Sequence, residues 1–134
     1  MALIDYTPEK LSIRPAHTAP VIRINHNGTF YIYKSLLKRI NALQSGSKVL
    51  FSHDPLKNSW FISLDNEKGL PIRFSETQSY HYVNSSVLRT RILNTQLAII
   101  QAFDEDQTFY MRAEMAPTKI DNSGKKYFRI DFIL

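Results

Sequence analysis

Residues 21–64 read VIRINHNGTFYIYKSLLKRINALQSGSKVLFSHDPLKNSWFISL, and this stretch decides the predicted fold. Its beginning alternates apolar and polar side chains around Asn27-Gly28, a dipeptide typical of the type I′ turn of a β-hairpin. Apolar residues then recur at helical spacing after Ser35, a residue type that caps helices. Two strand-like runs on either side of a proline turn close the stretch. The pattern therefore predicts hairpin, short helix and hairpin.

The excess positive charge of the chain lies in the same region. From Lys10 to His53 there are seven Lys and Arg residues and no Asp or Glu. The other ten Lys and Arg residues are outnumbered by twelve acids, so the formal charge of +5 originates in this segment. Because ordinary protein surfaces mix both signs, an acid-free basic segment favours a polyanionic partner. The alternative is a solvated basic face without a ligand.

Composition excludes several other functions. The absence of cysteine removes disulfides, thiolate nucleophiles and cysteine metal sites. No apolar run approaches the roughly 20 residues of a membrane span, and the N-terminus lacks the features of a signal peptide. The four histidines have no ligand spacing, and no phosphate-binding glycine loop or catalytic motif occurs. We therefore expect a soluble cytoplasmic protein that is not an enzyme, needs no cofactor or metal, and has no membrane partner.

The rest of the chain is predicted to add an α-β-β module. Ser85 or Ser86 is expected to cap a helix over residues 87–102, and alternating apolar residues predict strands over 109–115 and 127–134. The predicted class is α+β and rich in β-structure. The predicted organisation is an N-terminal arm (1–20), a β-unit (21–64), an extended connector (65–84) and a helix plus hairpin module (85–134).

The β-unit resembles the AbrB/SpoVT/MazE-type swapped-hairpin family of bacterial DNA-binding proteins. The matching positions are the strand at 21–25, Gly28, the strand at 30–32, Leu36, Ile40, Asn41, Leu43, Gly46, Ser47 and Val49. They cover about a third of the chain. Three positions depart from the family pattern: Tyr33 replaces a proline, Asn41 a glycine and Ser47 an acid.

The resemblance implies a homodimer that binds double-stranded DNA and could act as a transcriptional regulator. By position, the residues implied to face DNA are Arg23, Lys34, Lys38 and Arg39. A lone hairpin is marginally stable in water, which independently favours pairing with a second copy. Alternatively, residues 65–134 could cover the hairpins within one chain.

The residues themselves extend the candidate binding set. Lys48 belongs to the same basic group, and Asn25 and Thr29 lie at the predicted hairpin tip, where they could contact bases. Two other functions stay open. The module at 85–134 could hold a protein partner, as in an antitoxin-like or mobile-element accessory factor. Exposed aromatic residues such as Tyr31 and Tyr33 could stack on unpaired bases.

Overall fold

The chain forms one antiparallel sheet and two short helices in the residues that the computed structural model describes, which are 2–3, 19–75, 79–96 and 108–133. The strands are β1 (Val21–Ile24), β2 (Thr29–Tyr33), β3 (Lys48–Asp54), β4 (Ser59–Leu64), β5 (Leu70–Pro71), β6 (Tyr80–Asn84), β7 (Phe109–Ala113), β8 (Lys119–Ile120) and β9 (Lys126–Ile133). The helices are α1 (Lys34–Arg39) and α2 (Ser86–Asn94).

The sheet curls until it is nearly closed. Its strand order is β5-β3-β4-β9-β7-β1-β2-β6, with β8 added to β9. Arg73 lies just beyond β5 and forms a bridge to Tyr82 of β6. The two backbone hydrogen bonds of this bridge measure 2.8 and 3.0 Å. The segment from β5 to Arg73 therefore brings the first and last strands of the sheet together.

The core lies inside this curled sheet. Strand alternation sends one side chain of every pair inward, so Ile22, Ile32 and Met111 are fully buried. Phe30 of β2 meets Phe51 of β3 at a ring-centroid distance of 5.4 Å, although these strands are far apart in the strand order. This contact across the interior is what a curled sheet makes possible.

Strands from the two ends of the chain share the sheet. β1 pairs with β7, and β4 pairs with β9. The region at 65–84, expected to be a connector, contributes β5 and β6. The predicted β-rich α+β class is therefore confirmed. Both hairpins of the β-unit are flanked by strands from residues 65–134: β1 and β2 lie between β7 and β6, and β3 and β4 lie between β5 and β9.

The first hairpin has a different turn from the expected type I′. Gly28 has φ +86°, but Asn27 is not among the residues with positive φ. The Gly28 N–H donates to Asn25 O and the Asn25 N–H donates to Thr29 O, both at 3.0 Å. This is a type I turn followed by a left-handed glycine, which makes a longer loop than the two-residue turn.

Helix α1 begins without the predicted serine cap. Its N-cap residue is Tyr33, and the Ser35 hydroxyl instead donates to the Ala19 carbonyl at 2.6 Å. The helix ends in a Schellman arrangement, in which Asn41 has φ +64° and the Ala42 N–H donates to Leu37 O at 2.7 Å. Asn41 thus fills the left-handed position that a glycine usually occupies.

In helix α2, one of the two predicted N-caps is confirmed, and the predicted C-terminal end is wrong. Ser85 Oγ accepts a hydrogen bond from the Leu88 N–H at 3.0 Å. The helix ends at Asn94 rather than residue 102, and Thr95 next to it accepts a hydrogen bond from Trp60 Nε1 at 2.8 Å. Residues 97–107 and most of the expected N-terminal arm lie outside the described residues.

The last strands also differ slightly from the prediction. β7 ends at Ala113, which leaves Met115 exposed, and the short strand β8 lies between the two predicted strands. β9 begins at Lys126, and the predicted last residue, 134, is outside the described residues.

Candidate nucleic-acid interface

The outer face of β7, β1, β2 and β6 carries tyrosine and arginine, whereas the inner face carries buried and mostly apolar residues. Because Ile22 and Ile24 of β1 point inward, Arg23 between them points outward. The register places Arg23 opposite Tyr31 of β2 on one side and opposite Tyr110 of β7 on the other. Tyr31 in turn lies opposite Tyr82 of β6.

A continuous row of five side chains results. Tyr82 is bridged to Arg73, so the row crosses five neighbouring segments of the sheet in the order Tyr110, Arg23, Tyr31, Tyr82, Arg73. We call this set the tyrosine–arginine row. Neighbouring strands lie about 4.8 Å apart, so the row extends for about 19 Å along the sheet.

Arg23 is held in place by aromatic rings. Its Cζ atom lies 4.4 Å from the ring centroid of Tyr31 and 5.6 Å from that of Tyr80. Both distances are within the range of cation–π attraction. Its Nε atom is buried and has no hydrogen-bond partner among the described residues. The Nη groups are therefore the donors that Arg23 can offer to a ligand.

The tyrosines around Arg23 do not stack face to face. The Tyr31 and Tyr80 rings meet edge to face at 4.9 Å with an interplanar angle of 77°, and the Tyr31 and Tyr82 rings are tilted at 6.1 Å. All four tyrosines near Arg23, including Tyr110, are partly exposed. Within the part of the chain that the structure describes, none of their hydroxyls has a hydrogen-bond partner. Both the rings and the hydroxyls of these tyrosines can therefore contact a ligand.

Positive charge around Arg23 is not balanced by acids, whereas Arg112, at the end of β7, lies opposite Asp131 of the neighbouring strand β9. No Asp or Glu occupies an outward position of β7, β1, β2 or β6. Among the described residues, the two ion pairs are Lys125–Asp65 and Arg129–Asp131, and neither involves the row. At one end of this face, Val21 and Tyr33 are buried, so the exposed surface does not extend over them.

Lys34 and Lys38 lie on α1, the helix that adjoins this part of the sheet. The Lys34 N–H donates to Ser79 O at 3.0 Å, which places the start of α1 beside β6. Burial lowers the pKa of His81 on β6, and the positive charge of Lys34 lowers it further. Lys38, one helical turn later, is exposed on the same side of the helix.

Other predicted contact residues lie elsewhere. Arg39 donates from Nη1 to the Glu114 carbonyl at 3.1 Å, and it lines a cleft of about 590 Å³ that also includes Lys125. Lys48 is the first residue of β3, opposite Pro71. Of the five predicted basic residues, the structure therefore places Arg23 in the row, with Lys34 and Lys38 on the adjoining helix.

The two predicted polar contacts at the hairpin tip have partners within the chain. Asn25 Oδ1 accepts a hydrogen bond from the Thr108 hydroxyl at 3.3 Å. Thr29 is buried, and its hydroxyl donates to Asn84 Oδ1 at 3.0 Å. Both residues thus connect neighbouring strands at the end of the outer face.

The cleft beside Arg39 contains the shortest ion pair of the described chain. Lys125 Nζ lies 2.6 Å from Asp65 Oδ2. This hydrogen bond and those from the Lys68 and Glu67 N–H groups lower the pKa of Asp65 to about 2. The pair ties the loop before β9 to the end of β4. Within the described residues, no three His, Asp or Glu side chains are grouped as a metal site would require.

Three members of the row were not among the predicted contacts: Tyr82, Tyr110 and Arg73. Tyr31 was named as a stacking residue together with Tyr33, but Tyr33 is buried rather than exposed. The alternation of residues 80–82 and 109–113 does place their polar side chains opposite the apolar ones. That signal identifies an outer face for each strand separately. It does not show which strands are neighbours.

Comparison of the chain with family models, with curated proteins and with solved structures finds no match. Neither helix in the described ranges has the length and apolar character that crossing a membrane requires.

Proposed function

We propose that the protein binds nucleic acid, with DNA as the expected polymer, through the outer face of β7, β1, β2 and β6 and the adjoining side of α1. The observation that carries this proposal is the environment of Arg23. Its guanidinium is oriented by Tyr31 and Tyr80 and faces no carboxylate of the described chain. An oriented arginine suits phosphate because its donors form a planar fork.

Four cations of this face that lie opposite no acid are counted as phosphate contacts: Arg23, Arg73, Lys34 and Lys38. Arg112 of β7 also points outward, but it lies opposite Asp131 of β9 and is not counted. If each of the four neutralises one phosphate, the logarithm of affinity falls with the logarithm of salt concentration at a slope of about −3.6 for duplex and about −2.8 for single strands. Between about 50 and 200 mM salt, affinity then falls about 150-fold or about 50-fold, respectively.

The test compares two double variants with the same loss of charge. Lys34→Gln/Lys38→Gln removes cations from the proposed face. Lys57→Gln/Lys126→Gln removes exposed cations from the β3–β4 turn and the start of β9. Binding is measured as anisotropy of a labelled oligonucleotide over a range of salt concentrations. We expect the first pair to reduce the steepness of the salt slope by about one per lysine and the second to leave it unchanged.

Two results would overturn the proposal. One is the absence of binding by the wild-type protein at low salt. The other is an equal effect of the two double variants, which would show that binding follows net charge rather than this face.

The dimer implied by the swapped-hairpin resemblance of residues 21–64 stays a prediction. Two copies would double the number of cationic faces available to one nucleic acid. Sedimentation equilibrium at micromolar concentration measures the mass directly. The mass of two chains supports the dimer. The mass of one chain excludes the dimer but is compatible with nucleic-acid binding by a single copy.

The protein-interaction alternative through residues 85–134 also stays a prediction. Affinity capture of a protein partner after nuclease treatment tests it.

A further inference from the structure

We infer that the tyrosine–arginine row is a binding site for the unpaired bases of single-stranded nucleic acid. This inference rests on the proposed function and specifies the form of nucleic acid that the face accepts.

The position of the first hairpin argues against its insertion into the major groove of a duplex. The major groove is about 12 Å wide and admits a helix or a two-stranded ribbon. The β1–β2 hairpin is flanked by β7 on one edge and by β6 on the other. Four adjacent strands span about 14 Å between their outer axes, before side chains are counted. The hairpin therefore cannot enter the groove as a free ribbon.

Helix α1 is also unsuited to entering a groove and contacting the bases there. It has six residues, so it is about 9 Å long, and its Leu36 and Leu37 side chains are buried. Its exposed side presents lysines, which bind phosphates as point charges. On this face of the described chain, bases can therefore stack on the rings of the row only when they are unpaired.

The composition of the row matches the chemistry of unpaired bases. Every base has a π-face that can stack on an aromatic ring, and single-strand binding sites combine such rings with cations along the backbone path. In the row, Tyr110 and Tyr82 stand on either side of the Arg23–Tyr31 pair, and Arg73 follows. Tyr82 has only a tilted contact with Tyr31, and Tyr110 has no ring contact among the described residues. These two rings are the best placed to accept a base.

The experiment uses the full chain and three labelled probes of equal length: oligothymidine, oligouridine and a mixed-sequence duplex. We expect at least one of the two single strands to bind about tenfold more tightly than the duplex at the same salt. Comparing the two single strands shows whether the ribose hydroxyl contributes, and a preference for either polymer over the duplex supports the inference.

Substitutions separate stacking from charge. Tyr82→Leu and Tyr110→Leu are each expected to weaken single-strand binding about 5-fold to 100-fold while leaving the salt slope unchanged, because stacking is lost and no phosphate contact changes. Tyr82→Phe keeps the ring and should keep the affinity. The matched control is Tyr127→Leu, which changes a partly exposed outward tyrosine of β9 outside the row.

The outcomes distinguish this inference from the proposed function. Duplex binding equal to or tighter than single-strand binding, with the lysine effects intact, would overturn the inference alone. Wild-type affinity in both Tyr82→Leu and Tyr110→Leu, with circular dichroism showing folded proteins, would also overturn it. Failure of all three probes to bind would overturn the proposed function as well.

Discussion

Gly28 provides a sharp test of how the first hairpin is fixed against α2. The residue has φ +86°, and a Cβ atom added to it would lie 2.7 Å from both Cα and N of Ser86. It would also lie 3.1 Å from the carbonyl carbon of Ser85. These are backbone atoms at the start of α2, so no side-chain rotation can relieve the overlap. Gly28→Ala must therefore move either the turn or the helix.

The expected loss of stability has two parts. Holding an alanine in the left-handed region costs about 1–2 kcal/mol. Separating the turn from α2 also weakens the hydrogen bond from the Ser85 N–H to the Gly28 carbonyl, now 2.9 Å long. A hydrogen bond of this kind contributes about 1 kcal/mol, and lost packing adds to that. We expect Gly28→Ala to lower the free energy of unfolding by about 2–4 kcal/mol.

Gly46→Ala is the matched control. Gly46 has φ +87°, but no atom lies within 4 Å of an added Cβ. Only the conformational cost of about 1–2 kcal/mol applies there. Urea unfolding followed by the fluorescence of Trp60, the single tryptophan, measures both variants. Losses that agree within about 0.5 kcal/mol would refute the close contact between the turn and α2, because the comparison cancels the shared conformational term.

Three further predictions concern stability. Asp65→Asn should lower the unfolding free energy at pH 7, with a deficit that shrinks as pH falls from 3.8 toward about 2, because the charged carboxylate stabilises the fold only while ionised. A deficit that persists at pH 2 in urea titrations would contradict that cause. The lowered pKa of His81 means that the unfolded chain takes up the proton first, so stability should fall below about pH 6.5 by up to about 1.4 kcal/mol per pH unit. His81→Gln should flatten this part of the pH profile, and an unchanged slope would exclude His81 as its source. Ser85→Ala should lower the unfolding free energy by about 1 kcal/mol through loss of the N-cap, and a thermal midpoint equal to that of the wild type would contradict the cap.

Local structure was largely predictable from the sequence because it depends on neighbouring residues. The two strand-like runs around the proline turn form β3 and β4, and the serine before α2 caps that helix as expected. The turn at Asn27-Gly28 was predicted at the right place but with the wrong type. Its type depends on whether Asn25 joins the loop, and hydrogen bonds to Thr29 decide this. Local composition does not determine that choice.

The candidate site was less predictable because it depends on strand pairing. Arg23 and Tyr110 are 87 positions apart in sequence, yet the register of β1 and β7 makes them direct neighbours. Tyr82 reaches Tyr31 in the same way through β6. No periodic pattern in a single sequence shows which strands pair. Charge alone therefore favoured residues such as Lys48 that the fold places elsewhere.

The most direct measurement of the central claim is an amide NMR titration of the labelled protein with oligothymidine at low salt. We predict shift changes concentrated at Arg23, Tyr31, Tyr82 and Tyr110, with smaller changes at Lys34. Shift changes confined to β3 and β4, or a spectrum that stays unchanged at saturating oligonucleotide, would contradict the assignment of this face as the nucleic-acid surface.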